Sequence, residues 1–103
     1  MTSILPLVHP GEILREEYLF PYHMSAGALA KKLNVPRTRI GRLANEQTAV
    51  TTDTALRLAK FFRTSPEFWM NLQASYDLKI EAAALEKDLA AIPEIDPEYA
   101  LAS

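Results

Sequence analysis

The chain has 103 residues, a length that fits one domain with a single modest core. Apolar residues make up 49% of it, which is ordinary for a globular protein and speaks against wholesale disorder. The absence of cysteine excludes disulfides, thiolate catalysis and thiolate zinc sites. No stretch approaches the roughly 18 to 20 apolar residues of a membrane span, and residues 1–12 do not resemble a signal peptide. We therefore expect a cytoplasmic protein with no membrane contact.

The net charge of −2 hides an uneven distribution of charge. From Glu46 onward ten acids stand against five bases, whereas the segment between Met24 and Asn45 contains no acid. The bases in that segment are Lys31, Lys32, Arg37, Arg39 and Arg42. Charge asymmetry within a chain indicates its partners better than the sum does, so the segment is a candidate nucleic-acid surface. Basic residues on short surface helices are also common, and the composition alone leaves both interpretations open.

The first elements in chain order are an arm and a helix. Residues 1–8 show no clear period and are expected to form a loosely ordered arm. Pro10 and Glu12 mark the start of the first helix, because proline suits the first position and an acid suits the positive end of the helix dipole. The helix should end near Phe20, which precedes a proline. Its apolar face is expected at Ile13, Leu14 and Tyr18.

Residues 25–44 read SAGALAKKLNVPRTRIGRLA, which predicts two short amphipathic helices joined by a tight turn, the helix-turn-helix pattern. Ser25 is a candidate N-cap, Asn34 tolerates the left-handed backbone that the turn requires, and Pro36 suits the first turn of the second helix. The inward positions are Leu29, Ala30, Leu33, Ile40 and Leu43. The outward positions of the second helix are Arg37, Thr38 and Arg42, with Arg39 as a further candidate.

Two more helices follow a turn-like stretch at 45–50. Thr51 or Thr52 caps the fourth helix. The run Ser65-Pro66-Glu67 starts the fifth, which we expect to continue to Ile92. Residues 93–103 are acidic and interrupted by proline, which predicts a flexible tail. The core positions are expected at Ala55, Leu58, Ala59, Phe62, Phe68, Trp69, Leu72 and Tyr76. The chain is therefore predicted to be all-α, with five helices and an extended C-terminal helix over 66–92.

The second half of that last helix has more apolar surface than a compact domain of this size needs. The surplus residues are Leu78, Leu85, Leu89 and Ile92, at roughly heptad spacing. Such a stripe usually meets a copy of itself or a partner, so we predict a two-fold dimer through this segment. In the alternative, the helix bends at Asp77 and folds back onto its own domain.

Residues 9–78 resemble the antitoxins of the HigA type, which belong to the Xre-like helix-turn-helix group that also includes phage repressors. The specific strings are HPGEIL at 9–14, TALRLAKFF at 54–62 and TSPEFWMNLQ at 64–73. The resemblance implies a phage-repressor-like domain that forms a homodimer and binds an operator in its own promoter as a repressor. The predicted two-fold dimer would read an inverted repeat in that operator. It also implies a partner, a RelE-type toxin that cleaves mRNA.

In such repressors the second helix of the motif enters the major groove, where arginine can chelate guanine and threonine can meet a thymine methyl or a phosphate. The candidate DNA-binding residues are Arg37, Thr38, Arg39, Arg42, Lys31, Lys32, Ser25 and Asn45. The chain departs from the family pattern at Ala26, where many members have glutamine, and at Gly27, a poor helix former. It also has Asn45-Glu46-Gln47-Thr48 where the family often has Asn-Gly-Lys-Arg.

Two alternatives to the antitoxin remain open from the sequence. One is a stand-alone Xre-like regulator without a toxin, and the other is a protein-interaction module that works through helix five and does not bind DNA. An enzyme is not expected, because no nucleophile–base pairing or phosphate loop is recognisable. His9 and His23 are isolated, so helix capping or a surface role is expected and neither a metal nor a cofactor is predicted.

Overall fold

The computed structural model describes residues 7–98, and within that range every regular element is helical. The helices are α1 (Pro10–Ile13, continued by a π-helix over Leu14–Leu19), α2 (Ala26–Leu33), α3 (Arg37–Ala44), α4 (Thr52–Phe62), α5 (Pro66–Ala84) and α6 (Glu86–Ala90). The all-α prediction is confirmed. The ends of the expected arm and tail, residues 1–6 and 99–103, lie outside the described residues.

Local capping chemistry sets the helix starts. The side-chain oxygens of Ser25, Thr51 and Ser65 each accept a hydrogen bond from the backbone N–H three residues ahead, at 3.0, 3.3 and 3.1 Å. Thr51 and not Thr52 is thus the cap of α4. His9 caps α1, because its Nδ1 accepts a hydrogen bond of 2.9 Å from the backbone N–H of Gly11. Asn34 ends α2 in the left-handed region at φ 58°, as the turn requires.

The first helix widens into a π-helix after Ile13. The backbone N–H of Phe20 bonds the carbonyl of Arg15, five residues back, at 3.0 Å. Leu14 and Leu19, which are also five apart, are both buried, whereas Ile13 and Tyr18 are half-buried. An α-helical period could not place Leu14 and Leu19 on one face, which is why the pattern missed Leu19.

The core is built around Trp69, which is fully buried near the start of α5. The ring of Tyr18 lies 5.2 Å from it and that of Phe62 lies 6.5 Å from it, centroid to centroid. The assignment of Phe68 to the core is wrong, since 37% of its surface is exposed, although its ring packs in a T shape against that of Trp69 at a centroid distance of 5.1 Å. The buried apolar residues are Leu14, Leu19, Leu29, Ala30, Leu33, Ile40, Leu43, Ala44, Val50, Ala55, Leu58, Ala59 and Trp69.

The long helix expected over 66–92 is interrupted. It continues as one helix through Asp77, ends at Ala84, and restarts at Glu86 after Leu85, whose backbone at φ −98° and ψ 9° is not helical. Two acids, Glu86 and Asp88, lie in the first turn of α6, where the helix dipole favours negative charge. The heptad spacing of the leucines did not reveal this new helix start. None of the described helices is long and apolar enough to cross a membrane.

Candidate nucleic-acid interface

The two motif helices, α2 and α3, pack against each other through the turn at Asn34 and Val35. The backbone N–H of Val35 bonds the carbonyl of Ala30 at 3.0 Å, which closes the end of α2. Ile40, Leu43 and Ala44 of α3 are buried against the core. All eight candidate DNA-binding residues are exposed, so the basic residues form a surface.

The exposed side of α3 has a centre and two edges. At about 100° per residue, Thr38 and Arg42 lie near the centre of the side opposite the buried residues. Arg37 lies at one edge, next to α2, and Arg39 lies at the other, next to α4. The two edge arginines, Arg37 and Arg39, therefore have different neighbours.

Arg37 leans onto the first turn of α2. A Cβ atom built on Gly27 would lie 3.2 Å from Nε of Arg37 and 3.4 Å from its Cδ. The side chain of Arg37 thus lies directly on the Gly27 backbone. Its guanidinium remains on the exposed side, as the prediction for a base-reading residue requires.

Arg39 is held by Asp53, in an ion pair that sequence reasoning missed. Nη1 of Arg39 lies 2.7 Å from Oδ1 of Asp53, and Nε of Arg57 lies 2.7 Å from the same oxygen. Arg57 also donates a hydrogen bond of 2.8 Å to the carbonyl of Leu33 at the end of α2. One carboxylate thus ties the outward helix α3 to α4 and, through Arg57, to α2.

The two arginines lower the pKa of Asp53 below its ordinary value, chiefly through the hydrogen bond from Arg57 and then through that from Arg39. A carboxyl group whose pKa is lower in the folded chain stabilises the fold above its ordinary pKa. That contribution is lost only as the pH falls through the lowered value. Asp53 is therefore ionised at neutral pH and keeps Arg39 in the pair.

The C-terminal end of α3 is held by the first helix. Arg15 donates a hydrogen bond of 2.6 Å from Nη1 to the carbonyl of Ala44, and its Nη2 lies 3.2 Å from a carboxylate oxygen of Glu46. Glu46 occupies the left-handed region at φ 63°, which glycine adopts without steric cost and few other residues do. Gly11 of α1 packs so closely against the backbone of α3 that a Cβ on it would overlap the carbonyl oxygen of Leu43.

The loop after α3 is fixed by Gln73, another residue that the sequence did not single out. Its buried side chain accepts a hydrogen bond of 2.8 Å from the backbone N–H of Val50 and donates one of 2.9 Å to Asp77. A buried glutamine on an otherwise apolar helix face is the only signal that could have indicated this role.

The remaining candidates lie at the ends of the two motif helices. Ser25 and Asn45 lie just outside α2 and α3, and the hydroxyl oxygen of Ser25 already accepts the capping bond. Lys31 and Lys32 lie in the last turn of α2, about 10 Å along the helix from Ser25. Lys32 borders a shallow recess together with Lys60 and Phe61 of α4. The lysines thus extend the basic surface away from the outward face of α3.

The four residues predicted for the dimer interface are all exposed in the single chain. The exposed fraction is 69% for Leu78, 38% for Leu85, 49% for Leu89 and 62% for Ile92. Residues 80–98 are exposed throughout, so α6 and the last turn of α5 do not pack against the core of the domain. Among residues 7–98 no group of three or more His, Cys, Asp or Glu side chains could hold a metal ion.

Comparison with known proteins gives a consistent result. A family model described as helix-turn-helix matches residues 14–69, more than half of the chain. Virulence-associated protein I of Dichelobacter nodosus is 53% identical over 76 residues, which are 74% of this chain and 70% of that protein. The uncharacterised helix-turn-helix transcriptional regulator YbaQ of Escherichia coli is 46% identical over 69 residues, which are 67% of this chain and 61% of that protein.

The fold is also that of a protein whose structure was solved with promoter DNA. The Pseudomonas aeruginosa antitoxin HigA with the higBA promoter matches with a TM-score of 0.82 and 41% identity, over 89% of this chain and 98% of that chain. Because this likeness covers 89% of the chain, it extends well beyond the motif itself.

Proposed function

Because this chain belongs to the helix-turn-helix family that includes the HigA-type antitoxins, we propose that it represses transcription by binding an operator in its own promoter. One observation carries the proposal. The exposed side of α3 presents Arg37, Thr38 and Arg42 with no acid among them, on a helix anchored at both ends. Arginine in this place can chelate guanine. We propose the cytoplasm as the place of action, because a repressor must reach the DNA.

We propose further that the chain acts as a homodimer on an inverted repeat. The α3 helix of one protomer contacts only a few base pairs. The α3 helices of two protomers, placed about one DNA turn or roughly 34–36 Å apart, contact both half-sites of an inverted repeat. The exposed apolar residues of α5 and α6 supply a surface for the second copy. Small residues at Ala82, Ala83 and Ala84 allow close helix approach there.

Binding to a duplex at increasing salt tests the operator proposal. A dimer with about six to ten phosphate contacts should give a steep negative slope of log affinity against log salt. Arg37→Ala should cost roughly 1–3 kcal/mol of binding free energy on the duplex that the wild-type chain prefers. It should also relax the preference at one base pair. Lys31→Ala, the matched control, should weaken all sequences about equally. A flat salt response would remove the DNA-binding proposal.

Asp53→Asn is expected to release Arg39 toward the DNA. The substitution keeps the shape of the side chain but removes the charge that holds the guanidinium. The log–log salt slope should therefore steepen by about one per protomer, while the base preference stays the same. Glu67→Gln on α5 removes the same charge and should leave the slope unchanged. Equal slopes for wild type and Asp53→Asn would mean that Arg39 does not reach the phosphates.

The proposed protein partner is a RelE-type ribonuclease toxin. Support comes from the family, because a similar protein solved with a promoter is described as an antitoxin. Co-expression with the product of the adjacent gene tests it: a toxin should arrest growth alone, and co-purify harmlessly with this chain. An adjacent product that neither arrests growth nor co-purifies would contradict the antitoxin role.

A stand-alone regulator without a toxin is the second candidate, favoured by the 46% identity to a relative that is described only as a transcriptional regulator. The two candidates share the operator and differ in the partner, so the co-expression experiment separates them. The alternative of a protein-interaction module that does not bind DNA predicts no salt-dependent binding to a duplex.

A further inference from the structure

Gly27 is an unexpected residue at the second position of α2. Glycine is less favourable in a helix than almost any other residue, because the unfolded chain has more freedom to lose. A left-handed backbone would justify it, but the described glycines all have ordinary φ values. The reason must therefore lie in the space that its missing side chain leaves.

The side chain of Arg37 lies in that space. The three atoms nearest to a Cβ on Gly27 are Nε, Cδ and Cγ of Arg37, at 3.2, 3.4 and 3.6 Å. The other two glycines differ. A Cβ on Gly11 would overlap the backbone of Leu43, and a Cβ on Gly41 would meet nothing within 4 Å. Gly27 is therefore the glycine at which the three nearest atoms all belong to a candidate base-reading side chain.

We propose that Gly27 is a positioning residue that determines specificity, and this inference rests on the proposed operator binding. The bare backbone at Gly27 lets the Arg37 side chain lie flat across the first turn of α2. This support fixes the direction in which the guanidinium leaves α3. A methyl group at position 27 would displace Nε by a few tenths of an ångström, and a bidentate contact to guanine depends on such alignment.

The displaced group is the far end of a flexible side chain, so the fold itself does not depend on Gly27. The substitution Gly27→Ala removes the helix-weakening residue, and the atoms nearest to the new methyl group all belong to Arg37. We therefore expect a melting temperature that is unchanged or raised by up to about 8 °C. A merely structural glycine would give the opposite result, a lower melting temperature.

The test uses a duplex that the wild-type chain selects from a randomised pool, together with its single-base-pair variants. Gly27→Ala should lose about tenfold in preference at one base pair of each half-site, the pair at which Arg37→Ala also loses preference. Affinity for unrelated duplexes and the salt slope should not change, because the charge is the same.

The double variant Gly27→Ala/Arg37→Ala decides whether Gly27 acts through Arg37. In the Arg37→Ala background the added methyl should change the base preference by less than about twofold, since the side chain that it displaces is gone. The same tenfold loss in both backgrounds, or an unaltered preference for Gly27→Ala alone, would overturn the inference while leaving operator binding intact. Failure of the wild-type chain to enrich any sequence would instead overturn the proposed function.

Discussion

Replacing Leu85 and Leu89 together by glutamate is expected to turn the protein into a folded monomer that no longer binds its operator specifically. Both side chains are exposed in the single chain, so the domain core does not depend on them. In a dimer they would be buried, and two carboxylates without partners would be too costly to bury there. Each half-site would then be bound alone, and operator affinity should fall by roughly 10²- to 10⁴-fold.

Sedimentation at several protein concentrations checks the first part of this expectation, and duplex binding checks the second. Lys87→Glu is the matched control, because it changes the net charge by the same amount on the same helix but on the side opposite the two leucines. It should remain a dimer and bind its operator. A double variant that still sediments as a dimer would show that α6 is not the interface.

Trp69→Ala is expected to remove most of the stability of the domain. Trp69 is fully buried and contacts the rings of Tyr18 and Phe62, and its Nε1 donates a hydrogen bond of 2.8 Å to the hydroxyl of Thr64. Truncation of such a residue costs about 3–5 kcal/mol, a large part of the roughly 5–15 kcal/mol that holds a small domain together.

Phe68→Ala is the control for the tryptophan, because the two residues are adjacent and only one is buried. Phe68 keeps 37% of its surface exposed, so its truncation should cost about 1–2 kcal/mol, less than that of the fully buried Trp69, because less apolar surface is removed from water on folding. Urea unfolding at equal protein concentration measures both losses. Equal losses for the two variants would contradict the placement of Trp69 at the centre of the core.

Features that depend on nearby residues could be predicted from the sequence. The caps at Ser25 and Ser65, the left-handed turn at Asn34 and the inward positions of α3 all involve partners within one or two helical turns. Local hydrogen bonding and the helical period determine them, because the residues that interact are already close along the chain. The basic outward side of α3 follows from the same period.

Features that join distant residues were decided only by the tertiary structure. Arg39 and Asp53 are 14 residues apart, Val50 and Gln73 are 23 apart, and Arg15 bonds the end of α3 from 29 residues away. No local pattern brings such pairs together, so a salt-bridged Arg39 was indistinguishable from a free one. The π-helical turn at 14–19 likewise follows from packing against the core.

The sequence by itself thus determined the two motif helices and which side of α3 faces outward, because each depends on neighbouring residues. The tertiary structure decided which outward arginine stays available and which of Phe68 and Trp69 enters the core. Adjacent residues point about 100° apart on a helix, and only the position of the other helices determines which of those directions is the interior.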